Sequence, residues 1–149
     1  MKKLILLSIL FIVGCDNSTE PEVHPFVGVW EFVQRVYTFT ALECSSEESG
    51  GWTQTAQELQ MTWVVNIDGS FVYSGENIED TNAGYDGEFS GTGTWTTTNN
   101  NKLVFTYTDE DYIDIETYDY SITGTTLILN MPEVNDCSTE LSVYTFTKQ

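Results

Sequence analysis

Between Leu59 and Ile67 apolar residues occupy every second position: Leu59, Met61, Trp63, Val65 and Ile67, with Gln60, Thr62 and Asn66 between them. A period of two belongs to a strand with one face buried and one wetted, and no helix can satisfy it. Asp68-Gly69 follows, the dipeptide best suited to reversing a chain between two strands. The rhythm recurs along the chain. Runs rich in Thr, Val, Ile, Tyr, Phe and Trp are expected as strands over 27–40, 59–67, 70–78, 88–97, 102–108, 112–122, 126–131 and 140–148. Asn99-Asn100-Asn101, Asp109-Glu110-Asp111 and Thr123-Gly124-Thr125 supply turns, and Pro132 is expected to end its strand for want of an N–H. The segment 43–58 is the longest connection, expected to carry a short helix or an open lid near 55–59. Strands joined in order by short connections form an antiparallel meander. Eight is a number that closes into a small barrel able to hold one ligand. The expected fold is therefore all-β, an eight-stranded antiparallel up-and-down β-barrel.

The start of the chain does not share this rhythm. Lys2 and Lys3 precede an apolar run from Leu4 to Val13, broken only by Ser8. The run is too short for a bilayer span of about 20 residues and reads as a signal peptide. Its end, Ile12-Val13-Gly14-Cys15, resembles the bacterial lipobox. That resemblance implies cleavage before Cys15 and lipidation of the cysteine, and so a protein of the bacterial cell envelope. The periplasmic face of a membrane and the cell surface both stay open. The expected organisation is a leader over 1–14, a lipidated Cys15 with a polar tether over 15–25, and one barrel domain over 26–149. His24, the one histidine, falls in the tether and is expected to be incidental.

Charge narrows the partners. The chain carries 23 acidic and 5 basic residues, a formal net charge of −18. Nucleic-acid binding, which needs clustered Lys and Arg, is not expected. Loss of the leader would leave Arg35, Lys102 and Lys148 as the basic residues, so anionic headgroups would repel the protein surface and the lipid itself must anchor it.

Gly28-Val29-Trp30, at the start of the first run, resembles the Gly-x-Trp entry of the lipocalins. Gly93-Thr94-Trp95, the stretch from Asn101 to Phe105, the stretch from Tyr120 to Leu129, and the segment from Tyr144 to Lys148 are similar to small bacterial lipocalin-like lipoproteins. The resemblance covers most of 26–149. It implies a barrel in which a basic residue near the last strand, here Lys148, lies over the Trp30 indole. The family usually has Arg in that role.

With Cys15 lipidated as its resemblance implies, Cys44 and Cys137 remain, and an exported chain permits them to form a disulfide. Closing the barrel requires the first strand to pair with the last. That pairing would bring Trp30 to Lys148 and Cys44 to Cys137, and the two pairs imply registers that agree to within a few residues.

Catalytic motifs are sparse. His-assisted nucleophilic catalysis has only His24 to draw on, no Cys–His cluster suggests zinc, and no glycine-rich loop precedes a helix. No enzyme activity and no cofactor are expected. Asp80, Asn82 and Asp86 are weak calcium candidates, better read as a solvated acidic turn. In 112–122, Ile113 and Ile115 are expected inside, with Asp114 and Glu116 in water. The alternative places Tyr118 and Tyr120 at a cavity mouth. Trp63, Phe71, Tyr73, Phe89, Trp95, Phe105 and Tyr107 are core candidates that a large cavity would convert, with Tyr118 and Tyr120, into ligand contacts. The expected function is binding of a small apolar molecule by a monomeric, membrane-anchored barrel. The alternative is an envelope interaction protein with a filled barrel and an acidic docking surface. Replacement of Cys15 by Ser is expected to move the protein from membranes to a soluble fraction. Retention on membranes after fractionation would refute the lipid anchor.

Overall fold

A computed structural model describes residues 22–78, 87–98, 101–108 and 113–149. Nine strands form one antiparallel sheet: β1 (Gly28–Ala41), β2 (Gly50–Thr55), β3 (Leu59–Val65), β4 (Ser70–Asn77), β5 (Gly87–Thr97), β6 (Lys102–Thr108), β7 (Ile113–Thr123), β8 (Thr126–Asn135) and β9 (Ser138–Lys148). From β3 to β9 each strand pairs with the next in the chain, and β1 pairs with both β3 and β9. The result is a closed eight-stranded barrel with β2 added beside β1, and no helix occurs among the described residues.

Closure follows the expected register. Trp30 faces Lys148 and Ala41 faces Ser138, with one irregularity between Phe32 and Gln34. Beyond the ladder, the Leu42 amide donates to the Cys137 carbonyl, and Cys44 is bonded to Cys137 with their Cα atoms 5.1 Å apart. Bridging residues 93 apart in sequence removes loop entropy from the unfolded chain worth about 4–5 kcal/mol.

The segment 43–58 is neither helix nor lid over its second half. Gly50–Thr55 forms β2 against Gln34 to Phe39 of β1. The reason is length. β1 has 14 residues, β3 covers its start from Gly28 to Glu31, and the remaining edge is free to recruit another strand. Val33 marks the change of partner, its carbonyl accepting from the Ala56 amide at 3.0 Å. A bulge there bends β1 around the barrel.

Two expected boundaries move. Ile67, assigned to the inward face, is 68% exposed, because β3 ends at Val65 and the chain turns through 66–69, closed by the Asn66 amide on the Ser70 carbonyl. Pro132 does not end its strand, since β8 runs on to Asn135 opposite β9. Pairing with β7 stops at Asn130, so past that point β8 has a free edge on which a missing N–H is tolerated.

The interior is aromatic at one end. Phe26, Trp30, Phe71, Leu103, Phe105, Leu127, Leu129 and Phe146 are fully buried. Space for these rings comes from β5, whose inward positions include Gly91 and Gly93. A Cβ at Gly91 would strike the Tyr73 ring, and one at Gly93 would strike the Thr106 carbonyl and the Phe71 ring. Gly93→Ala is therefore expected to cost about 1–3 kcal/mol by overpacking. Thr92→Ala, on the exposed side of the same strand, should stay within about 0.5 kcal/mol. Urea unfolding of both variants checks this, and equal midpoints would refute it.

Candidate functional site

The ends of the barrel differ. At the Gly28 end the chain entry forms a plug. The Trp30 indole donates to the Phe26 carbonyl at 2.7 Å, and Lys148 Nζ lies 5.2 Å from the Trp30 ring while donating to the Pro25 carbonyl at 2.9 Å. Gly28 is the residue this crossing requires. It sits at φ +141°, and a Cβ there would fall 2.6 Å from Lys148 Cε. Gly28, Trp30 and Lys148 thus act as one closing unit.

His24 belongs to that plug. Its ring lies 5.3 Å from Trp95 and 6.2 Å from Tyr120, and Nδ1 accepts from the Phe26 amide at 3.2 Å. With Nδ1 an acceptor, the neutral tautomer carries its proton on Nε2, 3.4 Å from the Tyr120 hydroxyl. Trp95 donates from Nε1 to the Asn66 carbonyl.

Towards the other end the inner wall changes character. Met61 and Trp63 of β3, Tyr73 of β4, Tyr107 of β6, Asp114, Glu116 and Tyr118 of β7, and Tyr144 of β9 line a cavity of about 410 Å³. The face of β7 is the reverse of the one expected. Ile113 and Ile115 are each 63% exposed, while Asp114 and Glu116 line the interior. Register dictates this: Tyr118 stands opposite Leu103 and Glu116 opposite Phe105, two fully buried residues, so the even-numbered face of β7 must point inward.

The carboxylates do not enter bare. Tyr118 donates its hydroxyl to Glu116 Oε2 at 2.7 Å. Burial is the main cause raising the Tyr107 and Tyr118 hydroxyls above the ordinary phenol value, and the nearby Glu116 carboxylate adds to it. Both phenols remain neutral donors at any physiological pH. Tyr144 is raised by burial too, with Arg35 opposing. Arg35 lies beside this group. Its Nη2 donates to Ser142 Oγ at 2.9 Å, and its guanidinium stands 5.0 Å from the rings of both Trp52 and Tyr144. Trp63 contributes an unmet need, an indole Nε1 that is buried without a hydrogen-bond partner.

Of the aromatics considered as ligand contacts, Trp63, Tyr73, Tyr107 and Tyr118 line the cavity, and Phe89 borders the surface hollow between β3, β4 and β5 instead. Phe71 and Phe105 are fully buried in the core, and Trp95 and Tyr120 lie at the plug. Met61, Asp114, Glu116 and Tyr144 were not singled out. Tyr144 carries the alternation that could have found it, whereas nothing local marks an inward Glu116. Cys15 and the calcium candidates Asp80, Asn82 and Asp86 lie outside the described residues. A larger hollow of about 500 Å³ has a wall of outward-facing side chains such as Gln60, Thr62, Ser74 and Glu88, so it is a surface feature of the sheet.

No protein-family model matches this chain, and no curated protein matches it. The fold and the site together define a closed eight-stranded antiparallel barrel with one plugged end and one cavity-bearing end. That architecture is consistent with a lipocalin-like fold.

Burial holds the His24 imidazole below its ordinary value of 6.5. The folded state thus favours the neutral ring, and the stability it confers is lost as pH falls and the ring is protonated. His24→Phe keeps an aromatic ring but has no proton to gain. Its melting temperature should fall less than that of the wild type between pH 7 and pH 5, and parallel thermal scans would refute a stabilising role for neutral His24 in the plug.

Proposed function

We propose that this protein is a non-catalytic carrier or receptor that binds one small, largely apolar molecule in its barrel, held at the bacterial envelope by lipid on Cys15. The observation that carries the binding reading is the cavity of about 410 Å³ between Met61, Trp63 and the four tyrosines. Concave, mostly aromatic sites with a few polar groups are what small-molecule sites consist of. Binding would draw on burial of ligand surface at about 25 cal/mol per Å², oriented by the tyrosine hydroxyls. The anchor rests on the Ile12-Val13-Gly14-Cys15 resemblance and on the acidity of the chain, which leaves lipid rather than surface charge as the means of attachment.

The full chain should bind 1-naphthol, a small neutral aromatic, with one site per molecule in titration calorimetry. Met61→Trp, which fills the cavity, should weaken that binding at least tenfold, while Val134→Ala on the exposed surface should leave it unchanged. Binding that ignores Met61→Trp would refute the assignment of the site.

A further inference from the structure

The chemistry of the cavity wall selects among ligands. Among the described residues its carboxylates are Asp114 and Glu116, beside the Tyr107 and Tyr118 phenols that stay neutral. No basic residue lines it among the described residues. Lys148 is engaged at the opposite end, and Lys102 pairs with Asp119 at 2.9 Å. Arg35, paired opposite Tyr144 on β1, is the nearest base; its guanidinium donates to Ser142 and stands 5.0 Å from the Trp52 and Tyr144 rings, one positive charge against two carboxylates. Further acids stand by the same end: Glu140 accepts from the Tyr37 hydroxyl at 2.8 Å, and Glu133 contributes to the field there.

A neutral apolar ligand in this place would strip water from Glu116 and return nothing, a costly exchange for a carboxylate. An anionic ligand would add repulsion. A cation would meet both carboxylates and the faces of several aromatic rings, whose quadrupoles attract positive charge most strongly where water is excluded. Trp63, 94% buried, lines this cavity, while its Nε1 is enclosed by the protein and has no acceptor.

We propose that the ligand is a small organic cation, an amine or quaternary ammonium on an apolar body that fits within about 410 Å³, with its charge at Glu116 and Asp114 and its body among Trp63, Tyr73, Tyr107 and Tyr144. This inference rests on the reading of the cavity as a binding site.

Three probes share one body and differ only in charge: tryptamine, tryptophol and indole-3-propionate. Calorimetry on the full chain should rank them in that order, with tryptamine at least tenfold tighter than tryptophol. Glu116→Gln, which keeps an acceptor for Tyr118, should remove most of the preference, and Asp114→Asn part of it. Glu31→Gln, an exposed acid on β1 near the plugged end, should leave it intact. Equal affinities, a preference for the anion, or an equal effect of Glu31→Gln and Glu116→Gln would overturn the cation assignment while the binding site stands. Failure of all three probes while 1-naphthol still binds would overturn the cation assignment alone; failure of all four, or binding unaffected by Met61→Trp, would overturn both. The ranking on the unmodified chain decides the matter even where Glu116→Gln does not fold.

Discussion

The pairing of β1 with β9 is the constraint from which the rest follows. A meander of eight strands leaves two edges, and each is a row of unpaired N–H and C=O groups. Joining them converts an open sheet into a barrel and commits every intervening strand to one inward face. The junction is held at both ends. The Lys148 side chain crosses Gly28 and covers Trp30 at one end, and Cys44–Cys137 ties the chain just beyond the last paired residues at the other. Because strand pairing propagates register, the same junction determines that Glu116 faces in and Ile115 faces out.

A barrel of this size can be filled completely by its own side chains. Here filling is uneven. At the plugged end Trp30, Phe26, Phe105 and Phe146 interlock, Phe26 with Phe105 at 5.7 Å and Trp63 with Phe146 at 4.7 Å between ring centres. The glycines of β5 let Phe71 and Tyr73 lie flat against the wall instead of filling the lumen. Towards the other end Met61, Trp63 and polar-tipped side chains, with Tyr118 hydrogen-bonded to Glu116, surround a cavity of about 410 Å³. Tight packing and the cavity thus fall at opposite ends of one sheet, and aromatic side chains contribute to both.

Much of the fold was legible before any coordinates. Period-two alternation located eight strands, and the turn residues separated them. Trp30, Lys148 and the two cysteines together indicated the closing register. β2 was not legible, because Gly50-Gly51-Trp52-Thr53-Gln54-Thr55 opens on two glycines and has no alternation of apolar residues, and it pairs along the edge that a long β1 offers. Pro132 misled for a related reason, since its effect depends on whether a neighbour needs the N–H. His24 looked like tether, and its place in the plug depends on Phe26, Trp95 and Tyr120 meeting from three separate parts of the chain.

The candidate site divides the same way. Sequence alone determined the strand period, the surplus of acids, the aromatic content and the resemblance at the leader, since each is a property of neighbours along the chain. It pointed to Trp63, Tyr73, Tyr107 and Tyr118 as residues of interest. Only the tertiary structure decided that the acidic face of β7 turns inward, that four tyrosines and two carboxylates share one cavity, and that Trp63 keeps a donor without a partner. A strand with two plausible faces carries no local signal of which is inside. The choice was made by its register against Leu103 and Phe105, long-range pairing that becomes defined once the barrel closes.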